Sequence, residues 1–169
     1  MGNRGANIRT RPIQPADMEF LYRVYASTRE AELAATAWSD ADKENFLRQQ
    51  FAAQHTYYQQ NYSDASYAIV MADHEPIGRL YVDRREQELR IIDIALLPQY
   101  CGRGIGSGLL GNIMHEAASA GLPVTIHVEK FNPALRLYGR LGFNVIEDKG
   151  VYFLMQYAAD RSTSGHGGR

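Results

Sequence analysis

The sequence predicts an α/β protein with a mixed, mostly antiparallel sheet of six or seven strands and helices on both faces. Three observations carry that expectation. Two helical stretches with one apolar face each come first. Three β-rich runs then follow one another between Tyr67 and Leu97, separated only by turn residues, as in an antiparallel meander. Finally the chain alternates strand, helix and strand, which mixes the sheet and places helices over both faces.

Each element can be justified in order. Ile8 to Ile13 is short and alternating, a first strand that ends at Pro12 or Pro15. Pro15 before Ala16 and Asp17 suits a helix start, because the first helical N–H is unpaired anyway. Met18, Leu21, Tyr22 and Tyr25 then fall at i, i+3, i+4 and i+7. A second helix is expected from Ser39 or Asp40, either of which can cap it, to about Gln60. Phe46, Leu47, Gln50, Phe51 and Gln54 share one of its faces. Tyr57, Tyr58, Tyr62 and Tyr67 suit core packing and a substrate-facing wall equally well.

Tyr67 to Met71, Ile77 to Asp83 and Leu89 to Leu97 are the β-rich runs, with Asp73-His74-Glu75-Pro76 and Arg85-Glu86-Gln87 as turns. After a glycine-rich loop, Ile105, Leu109, Leu110, Ile113, Met114 and Ala117 mark the stripe of a helix that Gly121-Leu122-Pro123 ends. Val124 to Val128 reads as a strand, Pro133 to Leu141 as a short helix, and Phe143 to Glu147 and Val151 to Tyr157 as the last strands. One domain is expected over residues 8–157. Residues 1–7 and 158–169, polar and glycine-containing, are expected to be disordered.

Composition excludes several function classes. The 169 residues are 45% hydrophobic and 22% charged, with a formal net charge of −1. That is the balance of a soluble globular protein, and not of a strongly basic nucleic-acid binder. No apolar stretch approaches the roughly 20 residues that span a bilayer. Met1 to Asn7 has no apolar segment of the kind a secretory signal needs. A cytoplasmic protein engaging neither nucleic acid nor membrane is therefore expected, and a homodimer is compatible with the composition. The single cysteine, Cys101, cannot form an internal disulfide, and the five histidines lack metal-ligand spacing, so no metal is expected.

The most informative stretch is Leu97-Pro98-Gln99-Tyr100-Cys101-Gly102-Arg103-Gly104-Ile105-Gly106-Ser107-Gly108. A strand leads into alternating glycines, and the chain then enters an amphipathic helix. Glycines let the backbone approach a ligand, and the first turn of the helix adds unpaired N–H donors. Such a loop suits a diphosphate. It lacks the Lys-Ser or Lys-Thr of a nucleotide P-loop, and in the registers starting at Gly102 and Gly104 the GxGxxG fingerprint fails, because Ser107 or Leu109 stands at the third glycine.

In this loop the sequence resembles the GCN5-related N-acetyltransferase (GNAT) family, whose pyrophosphate signature is [Q/R]-x-x-G-x-[G/A]. Gly104 and Gly106 match the small positions, and Cys101 stands where the family has Gln or Arg. A second block supports the resemblance: Val128-Glu129-Lys130-Phe131-Asn132-Pro133-Ala134-Leu135-Arg136-Leu137-Tyr138-Gly139-Arg140-Leu141-Gly142-Phe143 is similar to V-x-x-x-N…A-x-x-L-Y-x-x-x-G-F. Asn132 lies one residue closer to Ala134 than is usual in the family.

The resemblance implies an acyl-CoA N-acyltransferase-like fold, acetyl-CoA as co-substrate, and a small-molecule or peptide amine as acceptor. It implies that the amine attacks the thioester directly, with a splay between two strands admitting the cofactor. The carry-over gives Ile94 and Leu96 backbone contacts to the pantetheine arm, and Cys101, Gly102, Arg103, Gly104, Ile105, Gly106 and Ser107 the pyrophosphate. Asn132 becomes a further cofactor contact, and Tyr138 the general acid for the departing thiolate. The base is open between two residues. Asp93 is the only acidic residue within Ile91 to Leu97, and it either serves the amine or accepts structural bonds from backbone N–H groups or from Arg79 or Arg90. His127 lies inside a strand. Tyr25, Arg29 and Glu30, on the first helix, are the candidates for acceptor binding. A non-catalytic acyl-CoA sensor on the same fold is the alternative.

Overall fold

The chain forms β1 (Ile8–Pro12), α1 (Met18–Ala34), α2 (Asp40–Asn61), β2 (Ser66–Ala72), β3 (Glu75–Arg84), β4 (Leu89–Leu96), α3 (Ile105–Ala120), β5 (Val124–Glu129), α4 (Leu135–Arg140), β6 (Asn144–Asp148) and β7 (Tyr152–Tyr157). The computed structural model describes residues 5–159; residues 1–4 and 160–169, within the ends expected to be disordered, lie outside them. All seven strands join one sheet in the order β1-β2-β3-β4-β5-β7-β6. Every neighbouring pair is antiparallel except β4 with β5.

Two departures from the sequence reading have simple causes. Pro15 opens a single 3₁₀ turn, Pro15–Asp17, and the α-helix starts only at Met18. The Asp17 carboxylate accepts from Arg11 at 2.8 Å and from the Gln14 N–H at 2.7 Å, which pins that turn to β1. On α2, Leu47 and Phe51 are buried as expected, but Phe46 turns outward and meets the edge of Trp38 at 5.2 Å. The Ser39 hydroxyl caps α2 by accepting from the Asp42 N–H at 3.1 Å.

The sheet separates two cores. On one face α1 and α2 bury Leu21, Val24, Phe51, Ile69 and Tyr81. On the other, α3 and α4 bury Leu80, Ile91, Leu110, Ile113, Val128 and Tyr138. Removing each large apolar side chain from water stabilises the fold by about 1.5–3 kcal/mol.

The middle of β4 carries the feature that makes a site. Tyr81 pairs with Asp93 while Val82 pairs with Ile91, so Ile92 is an extra residue, a β-bulge. The extra residue inverts the alternation of side chains along the strand. Leu89 and Ile91 before it, and Ile94 and Leu96 after it, face the α3 core, whereas Ile92 and Ala95 face α1 and α2. Beyond the bulge β4 also parts from β5, and only Leu89, Arg90 and Ile91 are paired, with Val124, Thr125 and Ile126. β5 goes on along β7 instead, paired through Glu129.

Candidate active site

The splay leaves backbone groups of β4 without a strand partner. Leu97 donates its N–H to Ile77 O of β3 at 2.8 Å. Successive residues of a strand turn their backbone groups to opposite edges, so those of Leu96 and Ile94 face β5, which has departed. Both residues expected to contact an extended cofactor arm are thus placed to add one more strand-like partner.

At the end of β4 the chain makes a second 3₁₀ turn, Pro98–Tyr100, and enters the glycine loop. Gly102 and Gly104 have φ of 73° and 80°, the left-handed region that favours glycine. The first helical bond of α3 runs from the Gly108 N–H to Gly104 O at 3.0 Å. The N–H groups of Ile105, Gly106 and Ser107 precede it and form an anion-receptive helix end. Cys101 is exposed, and its Sγ lies 3.6 Å from the carbonyl oxygens of Leu96 and Leu97, so the thiol turns back towards β4.

Arg103 lies over the Tyr100 ring at 5.4 Å, beside a cleft of about 780 Å³ that Gly104, Ile105, Asn112 and Arg9 also line. Arg9 donates to Asp73 O at 3.3 Å, in the turn between β2 and β3. Asn132 is likewise occupied locally: its Oδ1 accepts from the Ala134 N–H at 2.8 Å and shapes the entry to α4. The free donors, the glycines and Arg103 fit a diphosphate joined to an extended amide-containing arm.

Tyr138 is 4% exposed, on α4, with its ring edge-on to Phe143 at 5.7 Å. Its hydroxyl makes no hydrogen bond with the described residues. Burial pushes the phenol up to about 12, and the negative charge of Asp93 adds to the effect. Tyr138 belongs to the α3 core, whereas the bulge puts Asp93 on the α1–α2 side, so the two groups approach the splay from opposite faces of the sheet.

Asp93 does not accept from Arg90. Its Oδ2 accepts from buried Arg79 on β3, which also donates to Gln54 of α2 at 2.9 Å. Arg90 instead donates to Thr125 Oγ1 at 2.7 Å, to Glu88 at 3.2 Å and to His127 Nδ1 at 3.2 Å. Arginine only donates, so the Nδ1 lone pair of His127 faces Arg90, and its proton sits on Nε2. Burial first, then Arg90 and Lys149, push the imidazole below its ordinary value and keep it neutral at pH 7.

Helix α1 carries the residues expected to bind an acceptor. Tyr25 is buried against Phe51, and Arg29 lies over its ring at 5.7 Å. Arg29 reaches Glu129, the last residue of β5, at 3.4 Å and Glu32 at 3.4 Å, while Glu30 is exposed. Of the tyrosine-rich segment, Tyr58 and Tyr67 pack edge-on around Tyr81, and Tyr57 is exposed. Sequence reasoning placed Gln54 on a face of α2 without foreseeing its bond from Arg79, and missed Tyr81. A signal for Tyr81 and its neighbour Arg79 existed, because both alternate with core residues along β3.

Comparisons with known proteins agree with this geometry. The family model described as the acetyltransferase (GNAT) family matches residues 21–143. A [ribosomal protein bS18]-alanine N-acetyltransferase of Haemophilus influenzae is 33% identical over 67 residues, 39% of this chain and 46% of that protein. The chain spans less than half the length of the curated relatives it matches. Among solved structures, the PaiA N-acetyltransferase of Thermoplasma acidophilum in complex with coenzyme A superposes with a TM-score of 0.69 at 20% identity, over 90% of this chain and 99% of that one. Naa50 of Arabidopsis thaliana, bound to the bisubstrate analogue CoA-Ac-MVNAL, gives 0.59 at 14% identity, over 90% and 99%. The fold, the splayed strands and the family match together show that this chain belongs to the acetyltransferase (GNAT) family.

Proposed function

We propose that this chain is an acetyl-CoA-dependent N-acetyltransferase acting on a primary amine. The observation that carries the reading is the splay between β4 and β5, flanked by the glycine loop at one end and by Tyr138 and Asp93 on its two sides. Ile94 and Leu96 offer backbone partners to the pantetheine arm, and the N–H groups of the loop from Gly102 to Ser107 receive the pyrophosphate, with Arg103 adding positive charge. The thioester bound there supplies the acetyl group.

The chain's own residues divide the remaining work. Asp93 receives the cationic acceptor and takes its proton, directly or through water, as the amine nitrogen forms its bond to the thioester carbonyl carbon. Tyr138 donates its proton to the sulfur as the carbon–sulfur bond breaks. His127, its basic nitrogen facing Arg90, keeps that arginine in place in this reading. Arg29 and Tyr25, with the exposed Glu30, border the acceptor side. A peptide N-terminus is a favoured acceptor class, supported by the alanine N-acetyltransferase relative and by the peptide portion of the analogue on Naa50.

The test is thiol release from acetyl-CoA with a panel of polyamines, amino acids and short peptides. Turnover with at least one amine is expected. Tight CoA binding without turnover across the panel would replace this reading with that of an acyl-CoA sensor.

A further inference from the structure

Arg79 is 3% exposed in the middle of β3, yet no cofactor contact falls to it. One amino group of its guanidinium donates both to Asp93 Oδ2 on β4 and to Gln54 Oε1 on α2. Its Nε makes no hydrogen bond with the described residues, and neither does the fully buried hydroxyl of Tyr81, whose ring lies 5.2 Å from the guanidinium. A buried arginine is retained at the cost of its hydration and of two unpaired polar atoms, which favours a role beyond packing.

We propose that Arg79 is a positioning residue for acetyl transfer: its buried ion pair fixes Asp93 by one oxygen, leaves the other free for the acceptor, and ties helix α2 to that carboxylate. This deepens the N-acetyltransferase reading and rests on it. The groups facing Asp93 are Arg79 and Tyr81 of β3, Tyr58 of α2 and Tyr138 of α4, with His55 of α2 close enough to feel Arg79. Arg29 of α1 and His127 and Glu129 of β5 stand on the same face of the sheet. The three phenols are held protonated by burial, so Arg79 is the positive charge in direct contact with the carboxylate.

Without Arg79 the carboxylate would keep no cationic partner in direct contact among the described residues, and α2 would no longer be tied to it.

The test measures kcat and KM for the amine in the wild-type chain, Arg79→Gln, Arg79→Lys, Asp93→Asn and the double variant Arg79→Gln with Asp93→Asn, alongside CoA affinity by calorimetry. In Arg79→Gln kcat/KM for the amine is expected to fall about tenfold or more and to recover in Arg79→Lys, with CoA affinity unchanged. The double variant is expected to be no slower than Asp93→Asn, because Arg79 acts through the carboxylate. An unchanged kcat/KM in folded Arg79→Gln overturns the proposal, and so does a double variant about tenfold slower than Asp93→Asn. The double variant leaves neither charge alone, so that comparison stands even if Arg79→Gln does not fold. If the wild-type chain binds CoA but acetylates no amine, the N-acetyltransferase reading fails by itself. The Asp93 side-chain conformation in crystals of Arg79→Gln then decides the Arg79 role, a displaced carboxylate supporting it and an unmoved one refuting it.

Discussion

Tyr138 is held almost wholly out of water while its hydroxyl keeps its proton for use, and two outcomes follow from that burial. Tyr138→Phe removes only the oxygen, so kcat should fall by about 10²–10⁴-fold, the range of general acid–base assistance, with the CoA dissociation constant unchanged. The pH dependence has a definite sign. A free phenol loses its proton near pH 10, but this one is pushed up to about 12, so the acid form persists as pH rises. A pH–kcat profile should therefore show no loss from this group at pH 10. A fall centred there that disappears in Tyr138→Phe would contradict the upward shift of this phenol. Tyr138 was legible in sequence because its spacing to Ala134, Gly142 and Phe143 is part of a recognisable block. Which charge Asp93 meets was not legible, because the partner was left open between Arg79 and Arg90. The extra residue at Ile92 turns Asp93 away from the α3 side and towards Arg79.

Strand and loop geometry set the next scale. At Gly78 an added Cβ would lie 2.3 Å from Ala95 O, a backbone atom with no room to yield. Gly78→Ala should therefore destabilise the chain by about 1–3 kcal/mol, read as a lower urea midpoint, because β3 and β4 would have to separate. At Gly104 there is open space but a φ of +80°, so Gly104→Ala costs about 1–2 kcal/mol of backbone strain at the mouth of α3. Calorimetry should show weaker CoA binding for that variant. Element types and order were readable, since periodicity and punctuation by glycine and proline depend on local chemistry. Features that require two elements were not: the three-residue limit of the β4–β5 pairing and the outward turn of Phe46 towards Trp38 depend on partners remote in sequence or on the packing angle of α2.

For the whole molecule, the two cores explain how a partly unpaired junction is tolerated. Each face of the sheet is anchored by its own helices, so β4 and β5 are held by α3 and by α1 even where they no longer bond to each other. Leu110, 1% exposed on α3, belongs to the core on one side of the sheet. Leu110→Ala should lower unfolding free energy by about 2–5 kcal/mol in denaturant titration. The fold class was expected from the sequence because the meander and the strand–helix–strand units constrain topology strongly. The central claim is that the unpaired edge of β4 receives the cofactor arm as a neighbouring strand. Amide hydrogen exchange with and without CoA tests it most directly. Slowed exchange at Ile94 and Leu96, together with residues 104–107, is the predicted result; unchanged exchange at both strand positions under saturating CoA would contradict it.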